Sequence, residues 1–167
     1  RLRRGCRAAV GENGSEWRRA LPGGKKAVAG EALSSTVFGE DSAVEIGRAY
    51  SSDVRCVLGR VGGISVAAVV FDGDEGVLLD AAKVQKVASL VEFAAYYNLP
   101  FVTFVNACGI RPDLETNDSL VMKNIFKLME SYDLLDNAKI SVVYKRAVGL
   151  GYTLFAAKSM GFDYVYA

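Results

Sequence analysis

The chain has 167 residues, and 51% of them are apolar, which suits one domain with a hydrophobic core. It contains no histidine, so serine and cysteine catalysis that relies on a histidine base is excluded. Three scattered cysteines without a CxxC pair argue against a disulfide scaffold or a zinc site and favour a reducing compartment.

Positive charge is concentrated at the amino terminus although the formal net charge is only +1. Residues 1–30 carry eight Lys or Arg against two acids and show no period of 2 or 3.6. We therefore predict a basic tail or linker over residues 1–40. With one Trp and no interleaved aromatic residues, the segment does not suggest a nucleic-acid-binding arm. The expected compartment is the cytoplasm, but the Arg-rich, acid-poor composition leaves an organelle matrix open.

The first regular pattern is a hairpin. Two β-branched runs, VRCVLGRV (54–61) and ISVAAVVF (64–71), are separated by Gly62 and Gly63, which is a two-residue turn signal. A helix is then predicted from Asp80, a good capping residue, to Asn98 before a Leu-Pro pair, because apolar residues recur at spacings of three and four.

Strands and helices alternate over the rest of the chain. The predicted elements are a buried strand over 101–105, a helix opening at Asn117 or Asp118, a strand over 140–144, a helix over 151–160 and a strand over 164–166. Successive strand–helix–strand units give a largely parallel sheet, whose functional loops lie at the carboxyl ends of its strands. Two loops qualify, over residues 106–113 and 145–152.

The second loop suggests chemistry carried by the backbone. Gly149 and Gly151 flank Leu150 just before a predicted helix, where backbone N–H groups lack helical partners. The N–H groups around Leu150, Gly151 and Tyr152 are therefore candidates for stabilising an oxyanion. The alternative is that both glycines only allow close packing of the helix on the sheet. Lys145 and Arg146 beside this loop are candidates for steering an anionic ligand.

Other side chains have simpler interpretations. Cys108 in the first loop lacks the histidine base of a catalytic thiol and is interpreted as a small loop residue. The aspartates of FDGDEG, residues 71–76, are interpreted as a polar turn and not as a metal site. No metal is expected to bind to this chain.

Three colinear stretches resemble a known family: EDSAVEIGRAYSSDVRCVLGRVGGISVAAVVFDGD, LLDAAKVQKVASLVEFAAYYNLPFVTFVN and ISVVYKRAVGLGYTLFAAKSMGFDYVYA. Together they are similar to the carboxyl-terminal domain of biotin-dependent acyl-CoA carboxyltransferases, including those of biotin-linked decarboxylase sodium pumps. The resemblance covers residues 41–167. It implies a crotonase-like ββα spiral, an α/β fold with a mostly parallel sheet and flanking helices, in a single domain that here looks truncated.

The resemblance also implies a site and its partners. The turn of Gly149, Leu150, Gly151 and Tyr152 would be the oxyanion hole, and Asn106, Ala107, Cys108, Gly109 and Ile110 would form a wall of the biotin pocket. Carboxybiotin would arrive in trans on a biotin carrier protein, and a separate carboxyltransferase domain would bind the acyl-CoA. An oligomer or a complex of different chains is expected, with the two predicted helices at 84–95 and 121–132 in its contacts; a membrane would be involved only through a pump complex.

The chain departs from the family pattern at both loops. Gly149-Leu150-Gly151-Tyr152 stands where the family has Gly-Gly-Ala-Tyr, and Cys108-Gly109-Ile110 stands where it has Pro-Gly-Phe. Asp113 adds a negative charge in the first loop. Three functions follow as hypotheses: a carboxyltransferase half-site, a noncatalytic homologue that helps to assemble a carboxylase complex, and another crotonase-like acyl-CoA enzyme such as a hydratase or a biotin-independent decarboxylase.

Overall fold

The computed structural model describes residues 33, 36–38, 42–111 and 118–167. Its centre is one seven-stranded sheet in the order β1-β2-β3-β5-β6-β7, and β4 pairs with β5 off this path. The strands are β1 (Val44–Ile46), β2 (Val54–Val61), β3 (Ile64–Phe71), β4 (Val77–Leu79), β5 (Phe101–Ile110), β6 (Lys139–Val148) and β7 (Tyr164–Tyr166). The helices are α1 (Ala81–Tyr96), α2 (Asp118–Leu134) and α3 (Leu150–Phe155), and a 3-10 turn covers Lys158–Met160.

The predicted hairpin is confirmed. β2 and β3 pair antiparallel from Val54 opposite Phe71 to Val61 opposite Ile64. Gly62 and Gly63 have φ values of 57° and 83°, which a two-residue hairpin turn requires and which glycine adopts without steric cost. From β3 onward every pairing is parallel, as predicted from the alternation of strands and helices.

The first helix is also confirmed at both ends. The Asp80 Oδ1 atom accepts a hydrogen bond of 2.9 Å from the backbone N–H of Lys83, which satisfies one free donor of the first turn of α1. The chain leaves the helix at Asn98, whose φ of 52° is left-handed. α1 and α2 bury apolar stripes against one face of the sheet, so that face carries the main core.

The sequence-based boundaries were wrong at the carboxyl ends of two strands. β5 continues to Ile110 and β6 to Val148, so residues 106–110 and 145–148 belong to strands and not to loops. The reason is β4, which the pattern did not predict: Val77 and Leu79 pair with Ala107 and Ile110 and give the end of β5 a hydrogen-bonding partner.

The predicted helix over 151–160 is wrong in its second half. α3 ends at Phe155, and Ala157 is extended before the short 3-10 turn. Two buried hydroxyl groups explain the break, because Thr103 Oγ1 and Ser141 Oγ donate to the carbonyl oxygen of Phe155 at 2.9 and 2.7 Å. The sheet thus takes the acceptor that a continued helix would use.

The second face of the sheet is covered in part by residues before β1. Leu33 and Phe38 are buried there against Val57, Val70 and Phe104. The predicted tail over residues 1–40 otherwise lies outside the described residues, and so does Asp113. In the described part of the chain, no helix is long and apolar enough to cross a membrane.

We expect the main core to depend on the buried stripe of α2. Leu128 is fully buried, whereas Leu134 on the same helix is 69% exposed. Leu128→Ala should lower the free energy of unfolding by about 3 kcal/mol, because it removes apolar contacts and leaves a cavity. Leu134→Ala is the matched control and should change it by less than about 0.5 kcal/mol. Urea denaturation measures both, and equal effects would contradict this packing.

Candidate functional site

The two predicted loops meet at one point. A Cβ atom on Gly151, at the start of α3, would lie 2.5 Å from the carbonyl oxygen of Ala107 and 2.8 Å from its Cβ. No side chain fits at that distance, so Gly151 is required by the close approach of α3 to β5. The fold therefore brings the turn at 149–152 against the predicted pocket wall at 106–110.

Gly149 is required for a different reason. Its φ is 57° and its ψ is −130°, whereas no atom lies within 4 Å of the position a Cβ would take. The backbone conformation, and not lack of space, therefore favours glycine here. This conformation turns the chain from β6 into α3 within one residue.

Three backbone amides precede the first hydrogen bond of α3. That bond runs from Thr153 N–H to Gly149 O at 3.1 Å, so the N–H groups of Leu150, Gly151 and Tyr152 have no acceptor within the helix. α3 has only six residues, so a helix macrodipole contributes little here, and these three amides are the candidate donors at the start of the helix.

Leu150 lies beside the main core. Its side chain is partly buried and packs against the main hydrophobic core. Gly151 is buried, and Tyr152 is 49% exposed at the surface. The leucine that replaces a small residue of the family pattern thus contributes to packing behind the backbone.

The wall at 106–110 starts at an irregularity. The pairing of β5 with β6 shifts register between Val105 and Ala107, and Asn106 lies at this shift. Asn106 and Ala107 are fully buried, whereas Cys108, Gly109 and Ile110 are partly exposed. Such shifts re-aim side chains at the ends of strands.

A third segment joins the site. Residues 71–76, which run from the last residue of β3 to the start of β4, present alternate carbonyl groups to the ends of β5 and β6. Tyr144 donates to Phe71 O, and the Asn106 Nδ2 group donates to Gly73 O. Lys145 Nζ reaches Gly73 O at 3.1 Å, Arg146 reaches Glu75 O at 3.0 Å, and the Cys108 thiol lies 3.6 Å from Glu75 O.

Sequence analysis interpreted this segment only as a polar turn. Its partners lie 33 to 73 residues away along the chain, and no local pattern encodes such contacts. Lys145 and Arg146 donate hydrogen bonds to its backbone carbonyl groups. That they also steer an anionic ligand stays a prediction. Among the described residues, no group of three or more acidic or cysteine side chains is placed to hold a metal ion.

Asn106 is the central polar group of this arrangement. Its Nδ2 group donates a hydrogen bond to Gly73 O, but its Oδ1 atom is buried without a hydrogen-bond partner. Tyr144 lies beside it, and burial together with the charge of Asp72 raises the pKa of Tyr144 to about 12. The phenol is therefore a neutral donor at physiological pH.

We predict that Gly151→Ala destabilises the fold. An alanine normally favours a helix, but here its methyl group would overlap the Ala107 backbone, so the free energy of unfolding should fall by about 1–3 kcal/mol. Gly73→Ala is the control, since its Cβ would make only ordinary van der Waals contacts, with Val77 Cγ2 at 3.4 Å and the Gly76 carbonyl carbon at 4.0 Å. Urea titration of both variants tests this; a stabilised Gly151→Ala protein would rule out the close approach.

Tyr144 should make stability depend on pH in alkaline solution. Its pKa is about 12 in the fold and near 10 when unfolded, so the unfolded chain loses the proton first. Stability should therefore be complete below pH 10 and fall between pH 10 and 12. Tyr144→Phe should remove this part of the decline, which denaturant titrations at pH 8 to 11.5 would show; an unchanged pH profile would contradict the assignment.

Comparison with known proteins gives relatives for both sequence and fold. The sequence is 28% identical over 129 residues to the methylmalonyl-CoA carboxyltransferase 12S subunit of Propionibacterium freudenreichii, covering 74% of this chain and 24% of that protein. It is also 28% identical over 129 residues to the biotin-dependent acetyl-/propionyl-coenzyme A carboxylase beta5 subunit of Mycobacterium tuberculosis, covering 74% and 23%. The chain thus spans about a quarter of the length of these relatives.

The fold matches solved carboxyltransferases. The crystal structure of transcarboxylase 12S superposes with a TM-score of 0.78 at 26% identity, over 91% of this chain and 30% of that one. The β subunit of Pseudomonas aeruginosa geranyl-CoA carboxylase matches with a TM-score of 0.67 at 14% identity, over 77% and 24%, and supports the fold alone. The expected crotonase-like α/β fold with a mostly parallel sheet is confirmed.

The family profile agrees with these likenesses. The profile of the carboxyl transferase domain matches residues 12–167, which is most of the chain. The match, the relatives and the fold all lead to one assignment. This chain belongs to the carboxyl transferase domain family.

Proposed function

We propose that this chain provides the carboxybiotin side of a carboxyl-transfer site, with the acyl-CoA bound by a separate carboxyltransferase domain. The observation that carries the proposal is the contact of Gly151 with the Ala107 backbone, because it sets three free backbone amides beside the wall at 106–110. Carboxybiotin would supply the carboxyl group. The chain itself would contribute shape and hydrogen-bond donors.

The donors would act on developing negative charge. Backbone N–H groups held by packing need no rearrangement to stabilise an oxyanion, and such preorganised donors supply a large share of catalysis in many enzymes. Here the amide of Gly151 is fixed by the close approach to β5, and that of Leu150 by the packing of its side chain in the core. The absence of histidine from the chain is compatible with this chemistry, since no side-chain base is required.

The packing of Leu150 bears on the noncatalytic alternative. Bulk at this position, together with the negative charge of Asp113, favours an assembly subunit without activity. The side chain packs against the main hydrophobic core, which supports a turn whose N–H groups stay open to a ligand. Asp113 lies outside the described residues, so the structure does not bear on its effect. The half-site is therefore the better supported proposal.

A half-site needs partners. The 12S relative is described as a hexamer assembled in a multienzyme core. We propose that this chain likewise works in an oligomer or a complex of different chains, with an acyl-CoA-binding domain and a biotin carrier protein. The exposed apolar side chains of α2, Met122 and Phe126, are candidates for part of that contact.

The test starts from the chain purified from its own source with its bound partners. Native mass spectrometry should show a partner with a carboxyltransferase domain or a biotinylated domain. Transfer of a labelled carboxyl group from carboxylated carrier to acyl-CoA is then measured. Replacing the peptide bond before Gly151 with an ester removes one N–H donor without adding a side chain, and transfer should fall by about 100-fold.

The matched control places an ester before Lys158. That residue begins the 3-10 turn, whose first bond runs from Met160 N–H to Ala157 O at 3.0 Å, and it lies outside the proposed site. The control should keep full transfer, and both proteins should unfold at similar denaturant concentrations. Full transfer by the Gly151 ester would exclude the proposed role of this amide, and a pure complex without either partner would favour an assembly subunit.

A further inference from the structure

A cavity of about 270 Å³ lies between α1 and the β1 edge of the sheet, and none of its lining residues belongs to the proposed carboxyl-transfer site. Its walls are mainly apolar: Ile46, Tyr50, Leu90 and Phe93 line it. A cavity of about 150 Å³ with such walls already holds a benzene ring. This cavity therefore has room for an aromatic ring or a branched aliphatic group with a short polar extension.

One charged group also lines the cavity. Lys86 is only 8% exposed, and its ammonium group donates to two neutral carbonyl oxygens, Ser51 O at 3.1 Å and Val54 O at 2.6 Å. Among the described residues, no carboxylate oxygen lies within 4 Å of its Nζ atom. An ammonium group has three N–H donors, so one is left over.

Lys83, one turn earlier on α1, has the carboxylate partners that Lys86 lacks. It is equally buried at 8% exposure, but its Nζ atom lies 2.7 Å from Asp53 Oδ2 and 3.5 Å from Asp80 Oδ2. The Asp53 carboxylate also interacts electrostatically with Lys86, but its ion pair is with Lys83. Buried charges in proteins are normally paired, so an ammonium group that is bonded only to neutral carbonyl oxygens beside an apolar cavity favours a negatively charged ligand.

The mouth of the cavity is accessible. Gln85 and Ser89 on α1 are exposed at its rim, and Tyr50 and Phe93 are partly exposed beside them. Cys56 at the base is fully buried, and burial raises the pKa of its thiol to about 12, so it offers sulfur surface and not a reactive thiolate.

We propose that this cavity is a binding site for a small carboxylic acid with an aromatic or branched apolar body. The body fills the space between Ile46, Leu90 and Phe93, and the carboxylate accepts a hydrogen bond from the free N–H of Lys86. The site is independent of the proposed carboxyl transfer and does not require a partner protein.

The test uses the full chain and three probes with the same ring: phenylacetate, 2-phenylethanol and 2-phenylethylamine. Binding is measured by isothermal titration calorimetry and located by the amide chemical shifts of Leu90 and Phe93. Phenylacetate should bind saturably and at least tenfold more tightly than the alcohol, since a charge-assisted hydrogen bond is lost in the alcohol. The amine should bind most weakly. Equal affinity of acid and alcohol, or no saturable binding of the acid, would overturn the proposal.

Three variants complete the test. Lys86→Met keeps the apolar stem and should weaken phenylacetate binding at least tenfold while leaving the alcohol unchanged. Because it also removes the donor to Ser51 and Val54, it is accompanied by Ser89→Trp, which blocks the rim with Lys86 in place and should abolish binding of the acid. Lys158→Met, an exposed lysine away from the cavity, should bind as the parent protein does. Unchanged binding by Ser89→Trp would also overturn the proposal.

Discussion

The contact between α3 and β5 is the constraint on which the candidate site depends. Gly151 lies against the backbone of Ala107, and the carbonyl of Phe155 at the other end of α3 is held by the hydroxyl groups of Thr103 and Ser141. Both ends of the short helix are thus tied to the sheet. A helix of six residues is not stable alone, so this anchoring maintains the turn and its free amides.

The neighbouring segment at 71–76 is also held by hydrogen bonds from side chains to backbone carbonyl groups. Its alternate carbonyl groups are held by Tyr144, Asn106 and Lys145, together with Arg146 further out. The segment after Phe71 has no strand partner for its carbonyl groups, and these side-chain donors take the place of one. The segment, the end of β5 and the turn into α3 therefore form one supported unit.

Two buried lysines on α1 also donate to backbone carbonyl groups. Lys83 is balanced by carboxylates, whereas Lys86 is bonded only to carbonyl oxygens at the wall of an apolar cavity. The sequence pattern predicts both lysines on a solvated helix face, because charged residues on an amphipathic helix usually face solvent, and for both this prediction is wrong. The difference between the two residues became visible only through their three-dimensional neighbours.

The sequence by itself determined the alternation of strands and helices, the glycine hairpin, the Asp80 cap and the family, since each depends on local periodicity, turn chemistry or colinear resemblance. It also singled out 149–152 and 106–110, although their roles stay predictions. The tertiary structure alone decided that β4 extends β5, that α3 stops at Phe155 and that Leu150 points to the core. These features depend on contacts between distant residues, which local patterns do not encode.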